Sequence, residues 1–167
     1  SLTKQDVEDL ELALKKGADL IALSFVRNHK DINEVKRIMK KNNSFLPVIA
    51  KIEKWEALND IENIISNFDG VMVARGDLGV EIPSAKVPIA QKKIAKLANK
   101  HGKPVIIATQ MLESMITNQV PTRAEVSDIA NSIFDSVDAL MVTGETAIGN
   151  YPIEVVKTFK EVIRLTE

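Results

Sequence analysis

The chain has 167 residues, 45% of them hydrophobic and 27% charged, with a net charge of -1. That balance suits a globular domain able to bury about 70% of its unfolded surface, and it offers no basic face for a nucleic-acid backbone. With no cysteine, disulfides and thiolate metal sites are excluded, so a metal must use oxygen ligands or one of two histidines.

In chain order, Thr3 with Asp6 forms a capping-box pattern, and the helix it opens runs to Lys16 and stops at Gly17. The apolar run from Asp19 to Phe25 is short enough to be a buried strand. Asp31 with Glu34 starts a helix with Ile32, Val35, Ile38 and Met39 on one face, ending near Asn42 and Asn43. A strand follows from Pro47 to Ile52, then a helix from Trp55 to Ile65, then a strand from Gly70 to Ala74. Gly76, Gly79 and Pro83 suggest a loop before a helix from Ser84 to Lys100, closed by Gly102. Val105 to Ala108 is the fourth strand, and Gln110 to Thr117 reads as a short helix. Thr122 with Glu125 caps a helix to Phe134, Ala139 to Val142 is the fifth strand, and Pro152 opens the last helix.

Short apolar strands each followed by a helix indicate α/β architecture built from parallel βα units. The strand ends Ser24, Lys51, Arg75, Thr109 and Thr143 are spaced 27, 24, 34 and 34 residues apart. A closed eight-unit barrel needs about 250 residues, roughly 31 per unit. Five strands therefore form either an open doubly wound sheet or part of an incomplete TIM barrel. The first twenty residues lack the apolar core of a secretory signal, and no run reaches the ~18 apolar residues of a membrane span. The expectation is a cytoplasmic protein with no membrane or nucleic-acid partner.

Chemistry in parallel α/β folds collects at the C-terminal ends of strands. Strand alternation puts Ile49, Lys51 and Glu53 on one face, and would align Val71, Val73, Arg75 and Asp77 on the next strand. Buried charges need partners, so the bland reading of Lys51 and Glu53 is a structural ion pair. Asp77 one strand over supplies a second carboxylate, and two carboxylates with water and substrate oxygens suit Mg2+. Gly76 and Gly79 allow close backbone approach to an anion. Thr109 and Gln110 at a helix start would add hydroxyl and N–H donors, and Thr143, Gly144 and Glu145 repeat the theme. Neither G-x-G-x-x-G nor the Walker A pattern occurs. His29 and His101 read as surface residues, Met111 and Met115 as core, and the Lys pairs as solvated helix faces.

The segments Ala50-Lys-Ile-Glu53, Met72-Val-Ala-Arg-Gly-Asp-Leu-Gly-Val-Glu-Ile-Pro83, Ala108-Thr-Gln-Met-Leu-Glu-Ser-Met115, Pro121-Thr-Arg-Ala-Glu125 and Gly144-Glu-Thr-Ala147 closely resemble the pyruvate kinase family. The resemblance is collinear over essentially the whole chain. It implies that residues 1–167 are part of a catalytic barrel, its fourth to eighth βα units. The lid domain and the C-terminal regulatory domain would lie outside this sequence. It further implies phosphoryl transfer from phosphoenolpyruvate to ADP, giving pyruvate and ATP, as in glycolysis. Lys51 would stabilise charge on the transferring phosphoryl and the enolate oxygen, and Glu53 and Asp77 would hold Mg2+ (or Mn2+). Gly76, Asp77 and Thr109 would bind substrate carboxylate, with Arg75 grouped beside them to order the site. Thr143 stands where the family usually has Ser, at a site of proton relay. Arg123 resembles a position near a subunit interface, the full-length protein being a homotetramer. K+ ligands would come from the family's first three barrel strands, so this chain alone is expected to be inactive, and its open sheet edges to favour self-association. Two alternatives stay open: a barrel lyase or aldolase that also binds Mg2+ through Glu and Asp, and a non-catalytic module binding a small carboxylate.

Overall fold

The computed structural model describes residues 2–167. Helix α1 (Lys4–Lys16) begins at the Thr3 capping box and ends at Gly17, whose φ of 80° is the left-handed conformation that terminates helices at little cost to glycine. Strand β1 (Ile21–Leu23) is shorter than the apolar run. Phe25, with φ of 55°, turns the chain out of the ladder. Helix α2 (Ile32–Lys41) buries Ile32, Val35, Ile38 and Met39, the face its spacing predicts. Strand β2 (Val48–Ile52) follows.

The expected helix from Trp55 to Ile65 is two pieces, α3 (Trp55–Asn59) and α4 (Ile61–Asn67). The break falls at Asp60, whose carboxylate accepts from the backbone and ring nitrogens of His29, both at 2.7 Å, and from Asn63. His29 is therefore tied down, not a free surface residue.

Strand β3 (Gly70–Ala74) runs straight into α5 (Arg75–Glu81), where glycines had suggested a loop. Helix α6 (Val87–Lys100) starts later than Ser84, after a single 3-10 turn, with Pro88 in its first turn where a missing N–H costs nothing. After β4 (Val105–Ala108) comes only a 3-10 turn at Glu113–Ile116, then α7 (Arg123–Phe134), β5 (Ala139–Met141), the short α8 (Gly144–Ala147) and α9 (Pro152–Thr166).

The five strands form one parallel sheet in the order β1-β2-β3-β4-β5, with β1 and β5 at its open edges. Its two faces differ. Val48, Ala50, Ile52, Val71, Val73, Val105 and Ile107 pack beneath the helices in the main core, with Phe68, Ile94 and Ile129 fully buried. Ile49, Met72 and Ala108 form a small second cluster on the opposite face, which would be the inside of a barrel. At Gly70 an added Cβ would lie 2.7 Å from the Ile49 side chain and 2.9 Å from the Pro104 carbonyl, so glycine alone lets β3 start so close to its neighbours. Parallel pairing is continuous, with Lys51 opposite Met72 and Ala74 opposite Ala108. All the strands consequently end on one side of the sheet. No helix among the described residues is long and apolar enough to cross a membrane.

Candidate active site

Lys51 is the last position of β2 on the barrel-interior face, in phase with Ile49. Its Nζ lies 2.7 Å from Glu53 Oε1 and donates to Ser24 Oγ at 2.9 Å. Glu53 is only 1% exposed, and its second oxygen accepts the Phe25 N–H at 2.7 Å. The left-handed turn at Phe25 aims that N–H. A buried carboxylate is costly unless paired and hydrogen-bonded, and here it has both kinds of partner. The bonds that Lys51 and Glu53 make to Ser24 and Phe25 thus join the β1 and β2 ends.

The expected alignment of Arg75 and Asp77 with that face does not hold. Val71 and Val73 belong to the helix-packed core, so the ladder phase carries Arg75 to the helix side, and β3 ends before it. Arg75 is 7% exposed. Its guanidinium donates to the carbonyls of Thr109 (3.2 and 2.8 Å) and Gln110 (2.8 Å), to Gln91 (3.4 Å) and to Asp128 (2.5 Å). That geometry supports an ordering residue, not a substrate ligand. Gly76 and Asp77 form the first turn of α5, and Asp77 is exposed.

Thr109 and Gln110 do not open a helix. Both have positive φ, 69° and 54°, which is uncommon outside glycine and unusual for a β-branched residue. Arg75 fastens both carbonyls, and Thr109 Oγ1 accepts the Gly76 N–H at 2.8 Å. Strain of about 1–3 kcal/mol per such residue persists only where neighbours over-determine it, commonly at functional sites. The structure therefore brings Gly76 and Thr109 into contact, and sets Asp77 one residue further on.

Thr143 follows β5, three strand spacings of about 4.8 Å each from β2. Its N–H donates to Glu145 Oε2 at 2.8 Å. Glu145 itself is 1% exposed, and also accepts the Leu112 N–H at 3.3 Å. It ties the β5 end to the loop after β4. Glu145, expected with Thr143 and Gly144 as a polar strand end, is thus a buried tie between two loops. Glu125, expected only as a helix cap, also accepts from Ser114 N–H (2.7 Å) and Ser114 Oγ (2.6 Å). Burial opposes its ionisation, but the bonds from Ser114 and Thr122 outweigh that and hold its pKa below the usual carboxylate range.

As to a metal, the described residues contain no group of three or more His, Cys, Asp or Glu side chains placed to hold one. The donors at the strand ends are two carboxylates, Glu53 and Asp77. That is a hard-oxygen set, which fits a cation such as Mg2+ that keeps several waters and takes one or two protein carboxylates.

An open parallel βα sheet with its polar strand ends gathered at one edge defines a barrel-type α/β segment. Comparison with known proteins narrows the class. Residues 1–156 match the family model "Pyruvate kinase, barrel domain", and the chain belongs to the pyruvate kinase family. It is 51% identical over 167 residues to a pyruvate kinase of Mycobacterium tuberculosis, covering all of this chain and 35% of that protein. The match to a pyruvate kinase of Corynebacterium glutamicum is 52%, with 35% of it covered. For one from Thermotoga maritima the figures are 52% and 36%. The chain thus spans about a third of the length of these curated relatives.

Proposed function

We propose that residues 1–167 are the fourth to eighth βα units of a pyruvate kinase catalytic barrel. They contribute most of the site that transfers a phosphoryl group from phosphoenolpyruvate to ADP. The observation that carries this is the Lys51–Glu53 pair, 2.7 Å apart at the end of β2 with the carboxylate buried and the ammonium partly open, in a chain of this family.

In this reading Lys51 faces the transferring phosphoryl and the developing enolate oxygen, and its ammonium offsets their charge where water is excluded. Its ion pair with Glu53 and its bond to Ser24 aim the ammonium before substrate arrives. Glu53 and Asp77 would hold Mg2+ or Mn2+, which would supply charge neutralisation to the reacting oxygens. The Gly76 and Asp77 backbone and the Thr109 hydroxyl bind the substrate carboxylate, with Arg75 keeping the Thr109 turn in place. The Thr143 hydroxyl lies on the route by which a proton reaches the enolate carbon to give pyruvate. The reaction relies on positioning and electrostatics, without a protein nucleophile. Potassium ligands come from segments outside these residues, so the 167-residue chain alone turns over poorly. The full-length protein is a cytoplasmic homotetramer with Arg123 near a subunit interface.

Titration of Mn2+ with oxalate, a planar dianion resembling the enolate, tests the site directly. Wild type should bind the pair, and Glu53→Gln should lose the metal. Equal binding by both would overturn the assignment. A coupled pyruvate-formation assay on the 167-residue chain should give no appreciable turnover, and normal turnover would refute the claim that other segments complete the site.

A further inference from the structure

Three strand-end segments converge on Lys54, the residue after Glu53. Its Nζ lies 2.6 Å from Glu81 Oε1, and the two side chains are only 27% and 24% exposed. The same ammonium stands 5.7 Å from the centre of the Phe25 ring, within reach of a cation–π attraction. Phe25 in turn gives its N–H to Glu53. Glu81 is the last residue of α5, the helix whose first turn contains Asp77.

A seven-residue helix is not stable by itself in water, so α5 stays where its ends are fastened. Its N-terminal end is held by the Gly76–Thr109 bond and the Arg75 clamp. Its C-terminal end is held by Lys54. At 1.5 Å per residue the helix is about 10 Å long, a short lever with Asp77 near one end and Glu81 at the other. The Lys54 end belongs to the segment that carries Glu53. The pair therefore links the two carboxylates through rigid structure.

We propose that Lys54 and Glu81 are a positioning pair that sets where Asp77 stands relative to Glu53, and so tunes divalent-cation affinity. The inference rests on Glu53 and Asp77 being the cation's ligands, as read above. A partly solvated ion pair adds little to folding stability, so the consequence is geometric. Electrostatics makes the test sharp. Removing a positive charge beside a cation site should by Coulomb attraction tighten binding, whereas removing a positioning group should weaken it.

Free Mn2+ measured by electron paramagnetic resonance, titrated against the 167-residue chain, reads this directly. Lys54→Met should raise the Mn2+ Kd about tenfold, the size of effect expected for groups that orient metal ligands, with Tm nearly unchanged. Lys54→Arg should restore most of the affinity. Glu81→Gln should weaken binding as well, and the double variant should be no weaker than the worse single one, because both remove one tie. If Lys54→Met does not fold, Lys54→Gln removes the same charge and carries the same test. An unchanged or tighter Kd in Lys54→Met, or strictly additive losses, would overturn the pair while Glu53→Gln still abolishes binding. Unchanged binding in Glu53→Gln would overturn the ligand reading, and the pair with it.

Discussion

Arg75 commits all three guanidinium nitrogens to the protein itself: two carbonyls with positive-φ residues behind them, one amide and one carboxylate. Replacing it with Met would leave the part-buried Thr109 and Gln110 carbonyls without these donors, at up to about 1–3 kcal/mol for each group that water does not reach. Arg75→Met should therefore lower the urea midpoint, and Arg75→Lys should recover only part, since a single ammonium cannot span the forked set of acceptors. An unchanged midpoint in Arg75→Met would show that the Thr109 turn stands without the clamp. Lys51 and Glu53 could be read from alternation because β2 continues to Ile52 and both follow its phase. Arg75 and Asp77 could not, because the strand ends at Ala74 and helical geometry takes over. The reach of Arg75 to residues 16 to 53 positions away has no local signature.

Among the elements, the split between α3 and α4 shows a side chain overriding periodicity. The spacing of Leu58, Ile61, Ile64 and Ile65 suits one continuous helix. Asp60 instead spends its carboxylate on Asn63 and on His29, 31 residues away. Chiefly the Asn63 bond, against some cost of burial and with help from His29, lowers its pKa from 3.8 to about 2. A depressed carboxylate pKa adds stability that is fully present above about pH 4 and is lost as pH falls towards 2. Asp60→Asn should therefore flatten the stability profile of this chain between pH 4 and 2, measured by thermal melts across that range. A profile parallel to wild type would remove Asp60 from the acid response. The capping boxes at Thr3 and Thr122 were legible, since they depend on residues three apart. Helix α5 was not, because Gly76 and Gly79 weaken local helix propensity and contacts at both ends compensate.

At the scale of the molecule, an open five-stranded sheet leaves backbone donors and acceptors unpaired along β1 and β5. It also leaves the interior face lined by Ile49, Met72 and Ala108 beside Ile106 and Met141. Exposed edges of this kind template further pairing. The 167-residue chain should accordingly sediment as a mixture whose larger species grow with concentration, and a strictly monomeric profile at high concentration would refute this. By itself the sequence determined the α/β class, the five strands, the helix faces and the Lys51–Glu53 pair. Each of these rests on periodicity or spacing within a few residues. Only the tertiary structure decided that Arg75 grips the Thr109 turn, that Asp60 breaks a helix and that Lys54 anchors α5. Those contacts join residues 27 to 53 positions apart. Side chains that distant meet only after the parallel ladder has set the register of their strands.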